Sequence, residues 1–143
     1  MTNETEMETW VAVGAVVRNP DGEVLLVKHV SEKDGFWSDE WICPGGGLED
    51  GEKLEDGARR EVREETSLEI EIQNQIPAFS RVLDDEERHV VYVDFKAKKA
   101  ETSPDATPGS DVGTVEWFSP DEIDELEDLH DDTRRLLDLA EIL

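Results

Sequence analysis

Two apolar runs, Trp10 to Val17 and Val24 to Val27, stand on either side of Asn19-Pro20-Asp21-Gly22. The four polar residues carry turn chemistry. Proline presets φ, glycine accepts a positive φ, and Asn and Asp bond back to their own backbone. Two such runs across such a turn predict a β-hairpin. The runs are nearly continuous rather than alternating, so the sheet they enter needs apolar cover on both faces.

Further blocks at 90–95 and 136–143 supply the rest of an interior. Trp41-Ile42-Cys43 reads as a short strand ending at Pro44, after a polar loop over 31–40. Lys53 to Glu65 has helical composition, with Leu54, Ala58 and Val62 on one stripe. Leu68 to Ile76 reads as a strand with a bend near Asn74, and His89–Lys96 and Val115–Phe118 as two more. Ser119-Pro120-Asp121-Glu122 has the order of a helix start: N-cap, proline, acids. A last helix is expected from about Asp131 to Ile142, with Leu136, Leu137, Leu139, Ala140 and Leu143 inward. Thr102 to Gly113, with Pro104, Pro108 and two glycines, is a long connection of the kind that often carries function. Mixed strands and helices over 143 residues predict one α/β or α+β domain spanning 1–143.

The charge excludes some functions. Thirty-eight acids against fourteen bases give a formal net charge of −24. Such a polyanion repels a nucleic-acid backbone, so no nucleic-acid partner is expected. The acids are spread along the chain rather than gathered in a tail. That pattern fits a protein working in high salt, where repulsion is screened over a few ångströms, and a halophilic source is the expectation. No apolar stretch reaches a membrane span, the first ten residues are polar, and Cys43 has no cysteine to pair with. A cytoplasmic protein without a membrane partner follows.

On the helix over 53–65, Glu61, Glu64 and Glu65 fall within one third of the circumference and flank the apolar stripe. Like charges at these spacings repel, and the helix dipole disfavours anions near its C-terminus. A divalent cation would turn three repulsions into a binding site, and Mg²⁺ suits oxygen ligands shared with phosphates. In a chain this acidic the triplet alone carries little weight. The residues around it carry more: Pro44-Gly45-Gly46-Gly47, Gly51-Glu52 and Arg60-Glu61-Val62-Arg63-Glu64-Glu65.

At fixed offsets, residues 46–68 resemble the signature of the Nudix hydrolase (MutT-like) family. Gly46, Glu52, Arg60, Glu61, Val62, Glu64, Glu65 and Leu68 match it. Ser67 stands where the family has glycine. The Glu116-Trp117-Phe118-Ser119 segment is similar too. The resemblance implies a mixed sheet sandwiched between helices (α/β/α) with a loop–helix–loop that carries the metal. It implies Mg²⁺, with Mn²⁺ as a substitute, held by Glu64, Glu65 and Glu61, with the Gly45 carbonyl and Asp111 as further ligands. Glu61 is then a ligand or the base that activates water, while Arg60 and Glu52 pair and orient the helix and loop. Glycine at 67 would suit a left-handed backbone at the helix end, which serine adopts at a cost of about 1 kcal/mol.

The implied activity is hydrolysis of a diphosphate bond in a nucleotide-like small molecule. Triphosphates, nucleotide sugars, ADP-ribose and dinucleoside polyphosphates all remain open. Phe36, Trp37 and Trp41 could stack a base or simply pack, and Arg81, Arg88 and Tyr92 could touch phosphate or base. Asp84, Asp85, Glu86 and Glu87 rival Asp111 as a base from a loop. A Nudix-fold module that binds without cleaving is the main alternative, and an isoprenoid diphosphate isomerase is disfavoured by length. The oligomeric state is left open, a homodimer among the options. Gly46 to Lys53 lacks the Gly-Lys-Ser/Thr end of a P-loop. Cys43 is expected to be a buried thiol, Trp10 and Trp117 core residues, and His29, His89 and His130 surface or structural.

Overall fold

The structure, a computed structural model, describes residues 7–29, 39–83, 87–109 and 112–143. Their order is β1 (Glu8–Arg18), β2 (Val24–His29), β3 (Trp41–Ile42), β4 (Gly45–Gly47), α1 (Leu54–Thr66), β5 (Ile70–Gln75), β6 (Phe79–Leu83), β7 (Arg88–Lys99), β8 (Val112–Phe118), α2 (Pro120–Asp124) and α3 (Asp131–Leu139). Among the described residues no helix is long and apolar enough to cross a membrane.

The strands form one mixed sheet. β1 runs parallel to β7 along its whole length, from Glu8↔Arg88 to Arg18↔Lys98. β7 pairs antiparallel with β5 and β6, and β2 antiparallel with β8. The predicted hairpin is present only at its turn. Asn19 Oδ1 accepts from the Asp21 and Glu23 N–H groups, and Gly22 takes a φ of 81°. Beyond Arg18↔Val24, however, the two strands part. The segment 41–47 fills the split. Ile42 pairs with Val27 on β2, the Pro44 carbonyl accepts from Ala15 N–H, and Gly45–Gly47 pair with β1. This arrangement carries the glycine run to the middle of the sheet.

The continuous apolar runs have the expected cause. Val13, Ala15 and Val17 face one side, with Ala58, Val62 and Leu68 packed in the same interiors. Val16, Val24 and Leu26 face the other, with Phe118, Ile123, Leu136 and Leu137. Helices therefore cover the sheet on both faces, α1 on one and α2 with α3 on the other. The helix start at Ser119 forms as predicted, and Glu122 completes a capping box with it. The bend in β5 appears as a register shift between Ile72 and Asn74. The last helix stops at Leu139, earlier than expected, with Leu136, Leu137 and Ala140 buried and Leu139 and Leu143 partly so.

Two expectations are corrected, and one strand is added. Trp10 is 41% exposed rather than in the core, because it lies near the N-terminal end of β1 under the Arg88 guanidinium, 3.6 Å from its ring. Leu54, at the first turn of α1, is exposed and leaves the stripe to Ala58 and Val62. β6 was not foreseen. Phe79–Leu83 is short, and only its register with β7 makes it a strand.

Candidate active site on α1

The loop between β4 and α1 is fixed by its own backbone. Leu48 N–H donates to the Val11 carbonyl (2.9 Å), and Gly51 takes a φ of 77°. Gly57 lets α1 lie close on the sheet. A Cβ there would come 2.9 Å from Val13 Cγ2 and Leu48 Cδ1. The helix ends at Ser67, which adopts the expected left-handed conformation (φ 67°) and donates its N–H to the Arg63 carbonyl.

Arg60 is the hub of the site. Its Nε and Nη2 reach Glu52 Oε2 and Oε1 at 2.7 and 3.0 Å, the two-point pairing expected, and Nη2 also donates to the Gly47 carbonyl. Its Nη1 additionally donates to Glu61 (2.9 Å) and Glu64 (3.0 Å), which the sequence reading did not foresee. The Arg60 hydrogen bond holds the Glu52 carboxyl below its usual range. Burial pushes the Glu61 carboxyl up, against the opposing Arg60 hydrogen bond, with the charges of Glu65 and Glu64 adding to the rise.

Glu61 lies against the glycine run, where a Cβ on Gly46 would meet its carboxylate at 2.5 Å. Glu65 is buried, accepting the Gly45 N–H on Oε1 (2.9 Å) with Oε2 3.2 Å from His29 Nε2. His29 thus belongs to the site, against its expected structural role. Its local sequence carries no signal of this: only the pairing of β2 and β1 with the 41–47 segment brings the end of β2 near Gly45. Glu64 points more to solvent. Among the described residues no three acidic, histidine or cysteine side chains converge closely enough to hold a metal ion. Arg60 Nη1 hydrogen-bonds to both Glu61 and Glu64. The donor chemistry of Glu61, Glu64, Glu65 and the Gly45 carbonyl still fits an oxygen-seeking cation, provided Nη1 is released from the two acids.

The long loop after β7 docks on the end of α1. Thr107 N–H donates to the Thr66 carbonyl and Gly109 N–H to the Glu65 carbonyl, both at 2.9 Å, satisfying helix-end acceptors. Asp111 lies outside the described residues, as do Phe36, Trp37 and Asp84–Glu86.

A cavity of about 250 Å³ opens beside α1. Gly45–Gly47, Glu61, Glu65 and His29 line it, as do Phe79, Tyr92, Asp94, Asp132 and Thr133. Tyr92 stacks on Phe79 with ring centroids 4.9 Å apart and donates its hydroxyl to Asp132 (2.8 Å). Arg81 reaches the same Asp132 at 2.9 Å. Tyr92 is therefore where a ligand could meet it, while Arg81 does not line the cavity and acts on its wall through Asp132. Trp41 is corrected to a packing residue: 8% exposed, edge-on to Phe118, with Lys28 over its ring, and absent from the cavity wall. Cys43 is a buried thiol pushed far above its ordinary pKa, first by burial and then by the charge of Asp94.

Residues 8–140 match the NUDIX domain family. The nucleoside triphosphatase NudI of Escherichia fergusonii is 31% identical over 135 residues, spanning 86% of this chain and 91% of its own. A MutT-like protein of Streptomyces ambofaciens is 31% identical over 119 residues, spanning 80% of this chain and 67% of its own. Among solved structures, the MutT protein from Methanosarcina mazei superposes with a TM-score of 0.78 at 26% identity, over 95% of this chain and 93% of that one.

Proposed function

The chain belongs to the NUDIX domain family of hydrolases, and from that premise we propose that it is a Mg²⁺-dependent enzyme cleaving the diphosphate bond of a nucleoside diphosphate joined to a further group. One observation carries the reading: Glu61 and Glu65 line a cavity whose wall also holds the stacked Tyr92 and Phe79. Carboxylates able to hold a cation and an aromatic stack in one cavity suit a phosphate chain attached to a nucleoside.

Hydrolysis forms a P–O bond to water and breaks the bridging P–O bond, and the water proton must pass to a base. Burial raises the proton affinity of Glu61, which suits it to accept that proton if it is not itself a metal ligand. Glu65, held by Gly45 N–H, and Glu64 would hold the cation. When bound, Mg²⁺ would offset the charge of the phosphate oxygens and lower the pKa of water. Arg60, tied to Glu52 and Gly47, keeps the loop against the helix.

Nucleoside triphosphates lead the substrate classes, because the NudI relative is named for that activity, with nucleotide sugars next. The test is a panel of triphosphates, nucleotide sugars, ADP-ribose and dinucleoside polyphosphates in molar KCl, with Mg²⁺ or with chelator, products being separated by chromatography. Metal-dependent cleavage of one class is expected. A folded protein that binds these compounds and cleaves none would be a sensing module instead.

A further inference from the structure

Trp10 lines the cavity and has no part in the chemistry above. β1 and β7 are parallel and in register from Trp10↔Val90 to Gly14↔Asp94, so Trp10 stands on the same face of the sheet as Tyr92. Two contacts hold its indole in place. The ring N–H donates to Glu8 Oε2 (3.3 Å), and the Arg88 guanidinium lies over the ring at 3.6 Å. Arg88 Nε is buried with no hydrogen-bond partner among the described residues, although the chain carries thirty-eight acids. A buried donor left unmet is destabilising, and the cation–π contact is what offsets it. Arg88 is not part of the cavity wall, so the ring face it covers is not the one that Trp10 turns to the cavity. With 41% of Trp10 exposed, the second face is open to a ligand.

The position suits one end of a nucleotide. Gly46 and Gly45, against which Glu61 and Glu65 lie, pair with Val13 and Gly14 on β1. Trp10 is three and four residues back along that strand, or about 10–13 Å. A nucleoside carrying its phosphate chain bridges such a distance. On the face between, β1 carries only Ala12 and Gly14, so nothing bulky rises from it. Charge sets the direction. Glu61, Glu65, Asp94 and Asp132 line the wall and, among the described residues, no Lys or Arg does. Phosphates therefore need the cation held by the acids, and the uncharged base is the part left for the Trp10 end.

We propose that Trp10, backed by Arg88, is the stacking platform for the substrate's nucleobase, holding the base at the outer part of the cavity while the phosphates reach Glu61 and Glu65. The assignment rests on the substrate being a nucleotide. A ring already fixed by Glu8 and Arg88 loses little freedom when a base lies on it. Every base has a π-face, so the platform reads the presence of a base rather than its identity.

The test is fluorescence titration of the full chain, in molar KCl with Mg²⁺, using etheno-AMP, a nucleotide whose emission is quenched when its base stacks on an indole. Wild type should bind the probe and quench it. Trp10→Ala should weaken binding by at least ~5-fold and remove most of the quenching. Trp10→Phe keeps a π-face, so it should bind within about 3-fold of wild type while the indole quenching is lost. Trp10→Ala binding as tightly as wild type, quenching undiminished in both variants, or no binding of the probe would overturn the assignment. Diphosphate cleavage whose KM is unmoved by Trp10→Ala would sink the platform and leave the proposed reaction standing. Quenched, Trp10-dependent binding without any cleavage would do the reverse.

Discussion

Arg60 Nη1 lies 2.9 Å from Glu61 Oε1, so the cation that organises the site is, without metal, a guanidinium of the same helix. The fork of Arg60 spans Glu52 on one side and Glu61 and Glu64 on the other. Lysine keeps the charge but cannot make these contacts at once. Arg60→Lys should lower turnover by about 10–100-fold, the usual cost of losing a residue that orients ligands, with far-ultraviolet circular dichroism unchanged. Activity equal to wild type would show that the fork is dispensable.

Gly109 tests the docking of the long loop. A Cβ there would lie 2.0 Å from the Glu64 carbonyl oxygen, a backbone atom that cannot step aside. Gly109→Ala should push the loop from the end of α1, destabilise the protein by about 1–3 kcal/mol and reduce turnover. Thermal melting and steady-state rates would show both effects, and an unshifted melt would refute the close contact.

Much of this frame was legible, and what escaped has a common cause. Continuous apolar runs showed that both faces of the sheet are covered, and the Ser119 helix start and the left-handed Ser67 followed from local chemistry. Strand partnership is not local. β1 pairs with β7, 80 residues away, so a sound turn at Asn19–Gly22 was mistaken for a full hairpin. Angular spacing gathered Glu61, Glu64 and Glu65 on one side of α1, but could not show Arg60 bonded to two of them. Asp94 had a readable signal, a lone charge inside the apolar run Val90 to Phe95.

Asp94, buried on the cavity wall, predicts a pH dependence. Its carboxyl titrates near 7 when folded and near 3.8 when ordinary, so the folded state binds the extra proton between these values. Stability from this group is full below about pH 4 and is lost as pH rises to about 7. The melting temperature of Asp94→Asn minus that of wild type should therefore rise from pH 4 to 7 and level off above. Parallel melting curves would contradict the buried acid.

The net charge of −24 predicts dependence on salt. Screening shortens from about 10 Å at 0.1 M to about 3 Å at 1 M, so self-repulsion grows as salt is removed. The melting temperature should fall markedly from molar to millimolar KCl. An unchanged melt would refute adaptation to high salt.

The central claim is that the acids of α1 hold the metal on which diphosphate hydrolysis depends. Its most direct test is turnover of the best substrate across a Mg²⁺ titration for wild type, Glu64→Gln and Glu65→Gln. Wild type should fall silent with chelator and recover with Mg²⁺, and each variant should lose at least ~10²-fold while remaining folded. Chelator-resistant turnover, or two variants as fast as wild type, would contradict the account.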